Sequence, residues 1–421
     1  MRTTDDGAVS CSDVGEPHPA SSNSPAAMIA VRRRKALSPS SYGVPQGSTR
    51  RPPAEVAPLR RSTPKLRPSA LPRLPLCSRT MIFSRKRRPD GSAAIVAFWS
   101  AWPQLRARSE AAIAARDFPE DLVADLSNRV NDIHPELEWE FSRGRVAEHA
   151  FIVSAAGDMA LRALAYRWRQ AAPRADETWE FHDVRQAEPE MFEATFEADG
   201  HRVALAELRY AFTLDEPRSE YDVVVFHPAF AAMTDEQRAR VAFLSLAWLL
   251  GEDAVEIWIG GVDITAAPSD GARTPQELAT AVAELADQYR EETWVLMGNG
   301  PDAEVPHLAS AQRPLKPARW PALDTHVAVT LAFRGRDNGM PDADSLTALR
   351  DFEDRLRELL ADAELIAHET SEGMRTFHVY ADSARFSADP VEKLTKGWSR
   401  GRVKVKVSTD HDWAGVRHLR P

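Results

Sequence analysis

The clearest alternation of apolar and polar residues lies in the C-terminal part of the chain. Val327, Val329 and Leu331 occupy every second position, which predicts a strand over 326–334. The segments that follow are a helix over 346–359, a hairpin of strands over 364–370 and 375–381, a helix from 389 and a strand over 403–407. Their order is β-α-β-β-α-β, and we expect both helices to cover one face of an antiparallel sheet.

The region before it, residues 93–300, also mixes helices and strands. Two helices are expected between 98 and 129, and alternating residues predict strands over 136–142, 150–154, 179–181, 192–197, 206–212 and 221–226. Thr234 with Gln237, and Thr274 with Glu277, are capping boxes that open helices. Between these helices a buried strand is expected over 255–259. Because the strands are mostly joined as hairpins, we expect an antiparallel sheet with helices packed on it.

Pro301, Pro306, Pro314, Pro317 and Pro321 fall between these two regions, in a segment with little periodicity. Residues 301–324 are therefore expected to be a linker. The fold class that follows is α+β with two domains: an uncharacterised α+β domain over 93–300 and a ferredoxin-like domain over 325–421.

Residues 1–90 are expected to be a disordered, basic tail rich in Pro and Ser. The first 80 residues carry 13 Lys and Arg, 5 Asp and Glu, 12 of the 30 prolines and one aromatic residue, Tyr42. Such a segment buries too little apolar surface to offset its conformational entropy. Order in composition begins at Met81, so we also expect translation to start there, with residues 1–80 an upstream over-extension of the reading frame.

Composition and charge limit the class of protein. Both cysteines, Cys11 and Cys77, lie in the tail, so the folded part has no disulfide, no thiol chemistry and no Cys-ligated zinc. The longest apolar stretch, 241–250, is half of a membrane span. The basic-then-apolar segment after Met81 imitates an export signal but has no small-residue cleavage site. We therefore expect a cytoplasmic protein without a membrane contact.

One face of the C-terminal sheet carries the candidate interaction surface. If both helices cover the other face, this face is open and presents basic, hydroxyl and aromatic side chains. The residues of this candidate surface are His378, Tyr380, Lys404, Lys406, Arg334 and Trp413. For the segment His411 to Trp413, the alternative is that Trp413 packs onto the sheet.

Residues 326–413 resemble the bacterial family called domain of unknown function 695. The resemblance rests on Asn338 to Asp342 before the first helix, the helix segment 349–360, the strand Phe377 to Tyr380, and Asp412-Trp413. That family is similar in fold to the regulator of RNase E activity B, a ferredoxin-like protein inhibitor. The resemblance implies a fold and defines no catalytic residue.

Motifs of site chemistry are missing. The chain has no P-loop, H-E-x-x-H, nucleophile elbow or EF-hand loop, and its 12 histidines show no tight metal spacing. Gly298 to Ala303 fits a dinucleotide-binding G-x-G-x-x-A, but Pro301 and Pro306 prevent the helix that must follow, so a turn is expected. The sequence thus assigns no catalytic, cofactor-binding or metal-binding residue, and no cofactor.

Three functional hypotheses remain open. The first is a non-enzymatic protein-interaction or regulatory module with a protein partner. The second is RNA binding by the open sheet face, although the C-terminal domain has 15 Lys and Arg against 16 Asp and Glu and lacks an RNP1 pattern. The third is an enzyme whose site lies between the domains, which a cavity with convergent His and carboxylate groups would favour.

Overall fold

A computed structural model describes residues 91–198, 200–268, 270–300 and 303–420. The predictions for the tail and for a start at Met81 fall outside the described residues. The helices are α1 (Ser92–Ala115), α2 (Glu120–Ile133), α3 (Met159–Gln170), α4 (Asp235–Leu250), α5 (Glu252–Trp258), α6 (Pro275–Asp287), α7 (Ala343–Glu358) and α8 (Asp389–Thr395).

The strands belong to four sheets. They are β1 (Glu138–Arg143), β2 (His149–Ser154), β3 (Trp179–His182), β4 (Thr195–Ala198), β5 (His201–Ala204), β6 (Arg209–Asp215), β7 (Glu220–Phe226), β8 (Ile259–Thr265), β9 (Thr293–Gly298), β10 (His307–Arg313), β11 (Thr325–Ala332), β12 (Ala363–Ser371), β13 (Met374–Ala381) and β14 (Val403–Thr409). The sheet orders are β1-β2-β3, β4-β5, β6-β7-β8 and β14-β11-β13-β12-β10-β9. This mixture of helices and several sheets confirms the α+β class.

The N-terminal layer packs α1 and α2 on the sheet β1-β2-β3. Helix α2 begins after Pro119 and turns Leu122, Leu126 and Val130 toward the core at helical spacing. An aromatic cluster fills the space between helices and sheet, with Trp102 stacked on Phe151 at 5.4 Å between ring centroids. The expected break between two helices is therefore observed, and a strip of apolar residues on each helix explains the packing.

The next layer packs α4, α5 and α6 on β6-β7-β8. Both predicted capping boxes are present, at Thr234 with Gln237 and at Thr274 with Glu277. The strand expected over 255–259 is wrong, because these residues mostly form α5. Glu252 and Asp253 stand in its first turn, where acidic side chains favour a helix N-terminus.

Two strand pairs in the N-terminal region are parallel, which differs from the expected antiparallel sheet. Strand β3 lies parallel to β2, and β8 lies parallel to β7. In both cases a helical connection separates the paired strands, α3 in the first and α4 with α5 in the second. Such a crossover brings the chain back in the same direction, so a parallel pair results.

The C-terminal sheet contains the predicted order β11-α7-β12-β13-α8-β14. All its strand pairs are antiparallel, and the order across these four strands is β14-β11-β13-β12. Helices α7 and α8 bury one face, where Val329, Leu349 and Phe377 are fully enclosed. The expected burial of Phe377 and of the β11 valines under the helices is observed, whereas Val403 and Val405 of β14 are half-buried and Val407 is exposed.

Part of the segment expected to be a linker belongs to this sheet. Within 301–324, β10 hydrogen-bonds to β12 on one side and to β9 on the other. Its buried apolar residues are Ala309 and Ala311, whose small side chains give a weak alternation in the sequence, and its other buried residues, Gln312 and Arg313, are polar. Pro314, Pro317 and Pro321 follow the strand, where the chain turns across the sheet. The sheet therefore begins at Thr293, inside the region assigned to the first domain.

Ion pairs connect the N-terminal region to the C-terminal sheet. Arg167 of α3 donates from Nε to Oδ1 of Asp382 at 3.0 Å and from Nη2 to Oδ2 of Asp324 at 3.0 Å. Both aspartates are buried, with side chains 9% or less exposed. Lys316 also contacts Glu220 of β7 at 2.6 Å. A buried ion pair is costly to break, so these contacts hold the two regions together.

Candidate interaction site on the C-terminal sheet

The sheet face opposite α7 and α8 is divided into two halves. The part around His326, His378 and Tyr380 lies under residues 413–420 and is called the covered half. The part around Thr330, Thr376 and Lys404 does not lie under these residues and is called the open half. The two halves share the same strands, since Thr330 lies between Thr376 and Lys404 across the sheet and His326 lies opposite Tyr380.

The C-terminal turn, residues 413–420, covers its half through a short 3₁₀ helix. Trp413, Val416 and Leu419 point inward and are at most 4% exposed. Gly415 passes so close to the sheet that an added Cβ would lie 2.5 Å from Nδ1 of His326. Only glycine fits at this approach, which allows the turn to lie directly on the imidazole.

Five rings form a continuous stack beneath the turn. They follow the order Trp320, Trp413, Tyr380, His326 and His378, with successive centroids 5.5, 4.3, 4.8 and 5.2 Å apart. Successive ring planes differ by 10° to 26°. Trp413 also donates from Nε1 to the carbonyl of Leu323 at 3.0 Å, so its polar atom is satisfied.

Asp410 fastens the turn to the sheet. Its carboxylate accepts hydrogen bonds from the Tyr380 hydroxyl at 2.6 Å and from the backbone N–H groups of Ala414 and Gly415, both at 2.8 Å. Burial raises the pKa of Asp410, but these hydrogen bonds outweigh it and the net pKa is lowered. Burial, and then the bond to Asp410, raises the pKa of the Tyr380 hydroxyl, so the phenol is the donor.

A chain of imidazoles leads from the buried centre to the surface and ends on Glu369. His326 Nε2 lies 3.0 Å from His378 Nδ1, and His378 Nε2 donates to Glu369 Oε1 at 3.0 Å. The other oxygen of Glu369 lies 2.9 Å from His307 Nε2 and 3.1 Å from His418 Nε2. These hydrogen bonds, that from His378 first, lower the pKa of Glu369 well below its usual range.

The imidazole of His326 is held neutral. Burial lowers its pKa from 6.5 to about 4, and the positive charge that His378 and Lys406 can carry acts in the same direction. Since His378 Nε2 donates to Glu369, a neutral His378 accepts at Nδ1 from His326 Nε2. The residues of the chain therefore have matched donors and acceptors without a charge at the buried end.

The six residues of the predicted surface fall into two groups. His378, Tyr380 and Trp413 are 4% exposed or less, so their placement on an open face is wrong. The reason is the C-terminal turn, and the alternative that Trp413 packs onto the sheet is correct. Arg334, Lys404 and Lys406 are exposed, as expected.

The open half is basic at its edge. Lys404 and Lys406 alternate along β14, Arg402 precedes them and Arg334 follows β11; all four are exposed. None of the four forms an ion pair with another described residue. Beside them Thr330 and Thr376, half-buried, share a hydrogen bond of 3.0 Å between their hydroxyls. The open half thus offers unpaired positive charge and a flat hydroxyl-bearing strip.

Sequence reasoning missed Glu369, His307, His418 and Asp410. Alternation along β12 and β10 contains the signal for Glu369 and His307, because strand register places both on this face. It was hidden by the assignment of β10 to a linker. His418 lies in a 3₁₀ turn with no periodicity, and nothing in the local sequence brings it to Glu369.

A cavity of about 390 Å³ lies between α3 and the C-terminal region. It is lined by Tyr166, Arg167, Arg319, Trp320, Glu364 and Asp382, among others, and by no histidine. The convergence of His and carboxylate groups in a concave pocket, which would favour an enzyme, is therefore not found at this cavity.

Across the described ranges, no group of three or more His, Cys, Asp or Glu side chains is arranged to hold a metal ion. Among those same residues, no helix combines the length and apolar character that crossing a membrane requires.

The comparison with known families identifies the C-terminal region. Residues 315–418 match the model of a family of unknown function, DUF695. The match confirms the resemblance predicted for 326–413, and it begins inside the segment expected to be a linker. No curated protein and no solved structure gives a significant match to the chain. The resemblance to ferredoxin-like proteins therefore stays a prediction.

Proposed function

We propose that this chain is a non-enzymatic protein-interaction or regulatory module that contacts an acidic surface of a partner protein through the open half of the C-terminal sheet. One observation carries the proposal: Arg334, Arg402, Lys404 and Lys406 are exposed and unpaired among the described residues. They lie on a chain whose formal net charge is −9. A local basic strip on an acidic protein steers complementary partners and excludes others by charge.

The burial of the aromatic rings of the C-terminal sheet favours a protein partner over an RNA partner. Single-stranded RNA is recognised by stacking of its bases on exposed aromatic side chains. Tyr380 and His378 are enclosed beneath the C-terminal turn, so neither can stack on a base without displacing it. The contacts that the open half could still make with RNA would be electrostatic only, and no aromatic ring would be available there for a base to stack on.

The test is affinity capture with the full chain from extract of the cells that produce it. Wild type is compared with Lys404→Glu/Lys406→Glu and with the matched control Lys393→Glu/Lys396→Glu, whose lysines are equally exposed on and just after α8. The eluates are compared by mass spectrometry and by nucleic-acid staining, with and without nuclease.

We expect one stoichiometric protein that wild type and the control retain, that the β14 variant loses, and that added salt releases. An eluate that is identical for all three chains would refute the role of the open half. Recovery of RNA, with loss of the signal after nuclease, would replace the proposal by the RNA-binding alternative.

A further inference from the structure

Strand β9 forms an outer edge of the C-terminal sheet with unused backbone groups. Among the described strands it pairs with β10 alone, so its other side is unpaired there. Among the described residues, the backbone groups of 294–298 on that outer side make no hydrogen bond. An edge of this kind is a template for pairing with another strand.

The side chains of this edge are apolar and exposed on both faces. Leu296 is 72% exposed, with Leu308 of β10 at 44% on the same face, and Val295 is 38% exposed on the other face. Between Thr293 and Gly298 there is no charged residue and no proline. Natural sheets usually protect edges with lysine, proline or a covering segment. Here β14 has Lys404 and Lys406, whereas β9 has no such protection.

We propose that β9 pairs antiparallel with β9 of a second copy of this chain, about a twofold axis at Leu296, to join two six-stranded sheets into one. A twofold axis perpendicular to the sheet keeps each face continuous, so residues of equal parity lie opposite each other. Leu296 then faces Leu296 of the second copy, and Trp294 faces Gly298. Each exposed leucine is covered by its own equivalent.

The charges near β9 do not oppose the pairing of this strand with its own copy. In this register Glu292 lies opposite Gly300, so the two copies of the glutamate do not face each other. Glu292 is moreover paired with Arg357, at 3.4 Å between Oε1 and Nη1. The same operation at β14 would place Lys404 opposite Lys406, and like charges directly opposite destabilise a strand pair. Charge therefore allows self-pairing at β9 and opposes it at β14.

The inference is independent of the proposed function, because β9 and β14 are opposite edges of the sheet. Loss of a partner at the open half leaves the self-association of β9 unchanged. Loss of the self-association of β9 likewise leaves partner binding at the open half unchanged. The two can therefore fail separately.

The first experiment measures association of the full chain by sedimentation equilibrium in wild type, Leu296→Lys and the matched control Val407→Lys. Val407 is a 50% exposed apolar residue of β14, so both substitutions add one lysine to an edge. We expect wild type and the control to dimerise alike, and Leu296→Lys to weaken the dimer by about 10-fold or more. A monomeric wild type at about 100 µM, or an unaffected Leu296→Lys, would overturn the proposal.

The second experiment tests the register by crosslinking. In a Cys11→Ser/Cys77→Ser background, Leu296→Cys places two thiols across the twofold axis. Opposed Cα atoms in an antiparallel pair are about 4.5–5.5 Å apart, within the range that a disulfide spans. Mild oxidation should give a covalent dimer for Leu296→Cys and none for the control Val407→Cys. Equal crosslinking of the two variants, or none at position 296, would refute this register.

Discussion

The covered and open halves of the C-terminal sheet face lie on the same strands, yet side chains of the covered half are buried and side chains of the open half are half-buried or exposed. Along β13, Tyr380 is fully buried and Thr376 is half-buried, only four residues apart on one face. Along β11, the His326 ring is part of the buried ring stack, whereas Thr330 is half-buried and shares a hydrogen bond with Thr376. The difference comes from the C-terminal turn, which reaches one half and not the other. Strand alternation determines only which face of the sheet a side chain lies on. Whether that side chain is buried depends on what packs on that face.

The strongest test of this comparison is Trp413→Ala, which removes the ring between Trp320 and Tyr380. We expect the free energy of unfolding to fall by about 3–5 kcal/mol, because a large buried aromatic side chain is lost and a cavity remains. Urea unfolding monitored by circular dichroism measures the change. The control Trp413→Phe keeps a ring in the stack but loses the hydrogen bond to Leu323 and part of the indole volume, so it should cost about 1–3 kcal/mol, less than the alanine variant. A loss below about 1 kcal/mol for the alanine variant would mean that the turn does not cover this half.

Acid should destabilise the covered half through His326. Its pKa is about 4 in the folded protein and 6.5 ordinarily, so between these values the unfolded chain binds more protons. The contribution of His326 to the free energy of unfolding should therefore be fully present above pH 6.5 and should fall by about 3 kcal/mol as the pH is lowered to 4. Comparison with His326→Gln, which stays neutral and can still donate to His378, isolates this contribution. The same dependence of the unfolding free energy on pH in both proteins would contradict the assignment of this contribution to His326.

Glu369→Gln tests the outer end of the imidazole chain. The carboxylate accepts from three histidines, and an amide would turn its NH₂ toward donors, so we expect a loss of about 1–3 kcal/mol near neutral pH. Thermal unfolding is the measurement. The control is Glu364→Gln on the same strand, whose side chain accepts from Gln312 alone among the described residues and should change stability by less. Equal effects at both positions would show that the three histidines do not depend on Glu369.

The smallest effect is expected in the open half, at Thr330→Val. The substitution removes one half-exposed hydrogen bond and keeps a β-branched side chain that suits a strand, so stability should change by less than about 1 kcal/mol. Urea unfolding under the conditions used for Trp413→Ala gives the comparison directly. A loss as large as that of Trp413→Ala would mean that the open half is covered in solution.

Much of the C-terminal fold could be predicted because its signals are local. Alternation places Val327, Val329 and Leu331 on one side, and Asp342 caps the start of α7, so element type and order follow from short-range physics. The covering of the sheet face could not be predicted, because Trp413 and Tyr380 are 33 positions apart and no periodicity connects them. Strand β10 was missed because its buried apolar residues are alanines and its other buried residues are polar. Helix α5 was missed because a short apolar run suits a helix or a strand equally.

The position of the C-terminal turn in the chain has a consequence for synthesis. Strands β11 to β14 are all synthesised before residue 413, and at about 5–20 residues per second about 2–7 s separates the synthesis of Tyr380 from that of Trp413. A product that ends between Thr409 and Trp413 therefore contains every strand of this sheet but leaves Tyr380 and His326 uncovered. Such truncated products should be recognised by chaperones through a patch that the finished protein never shows.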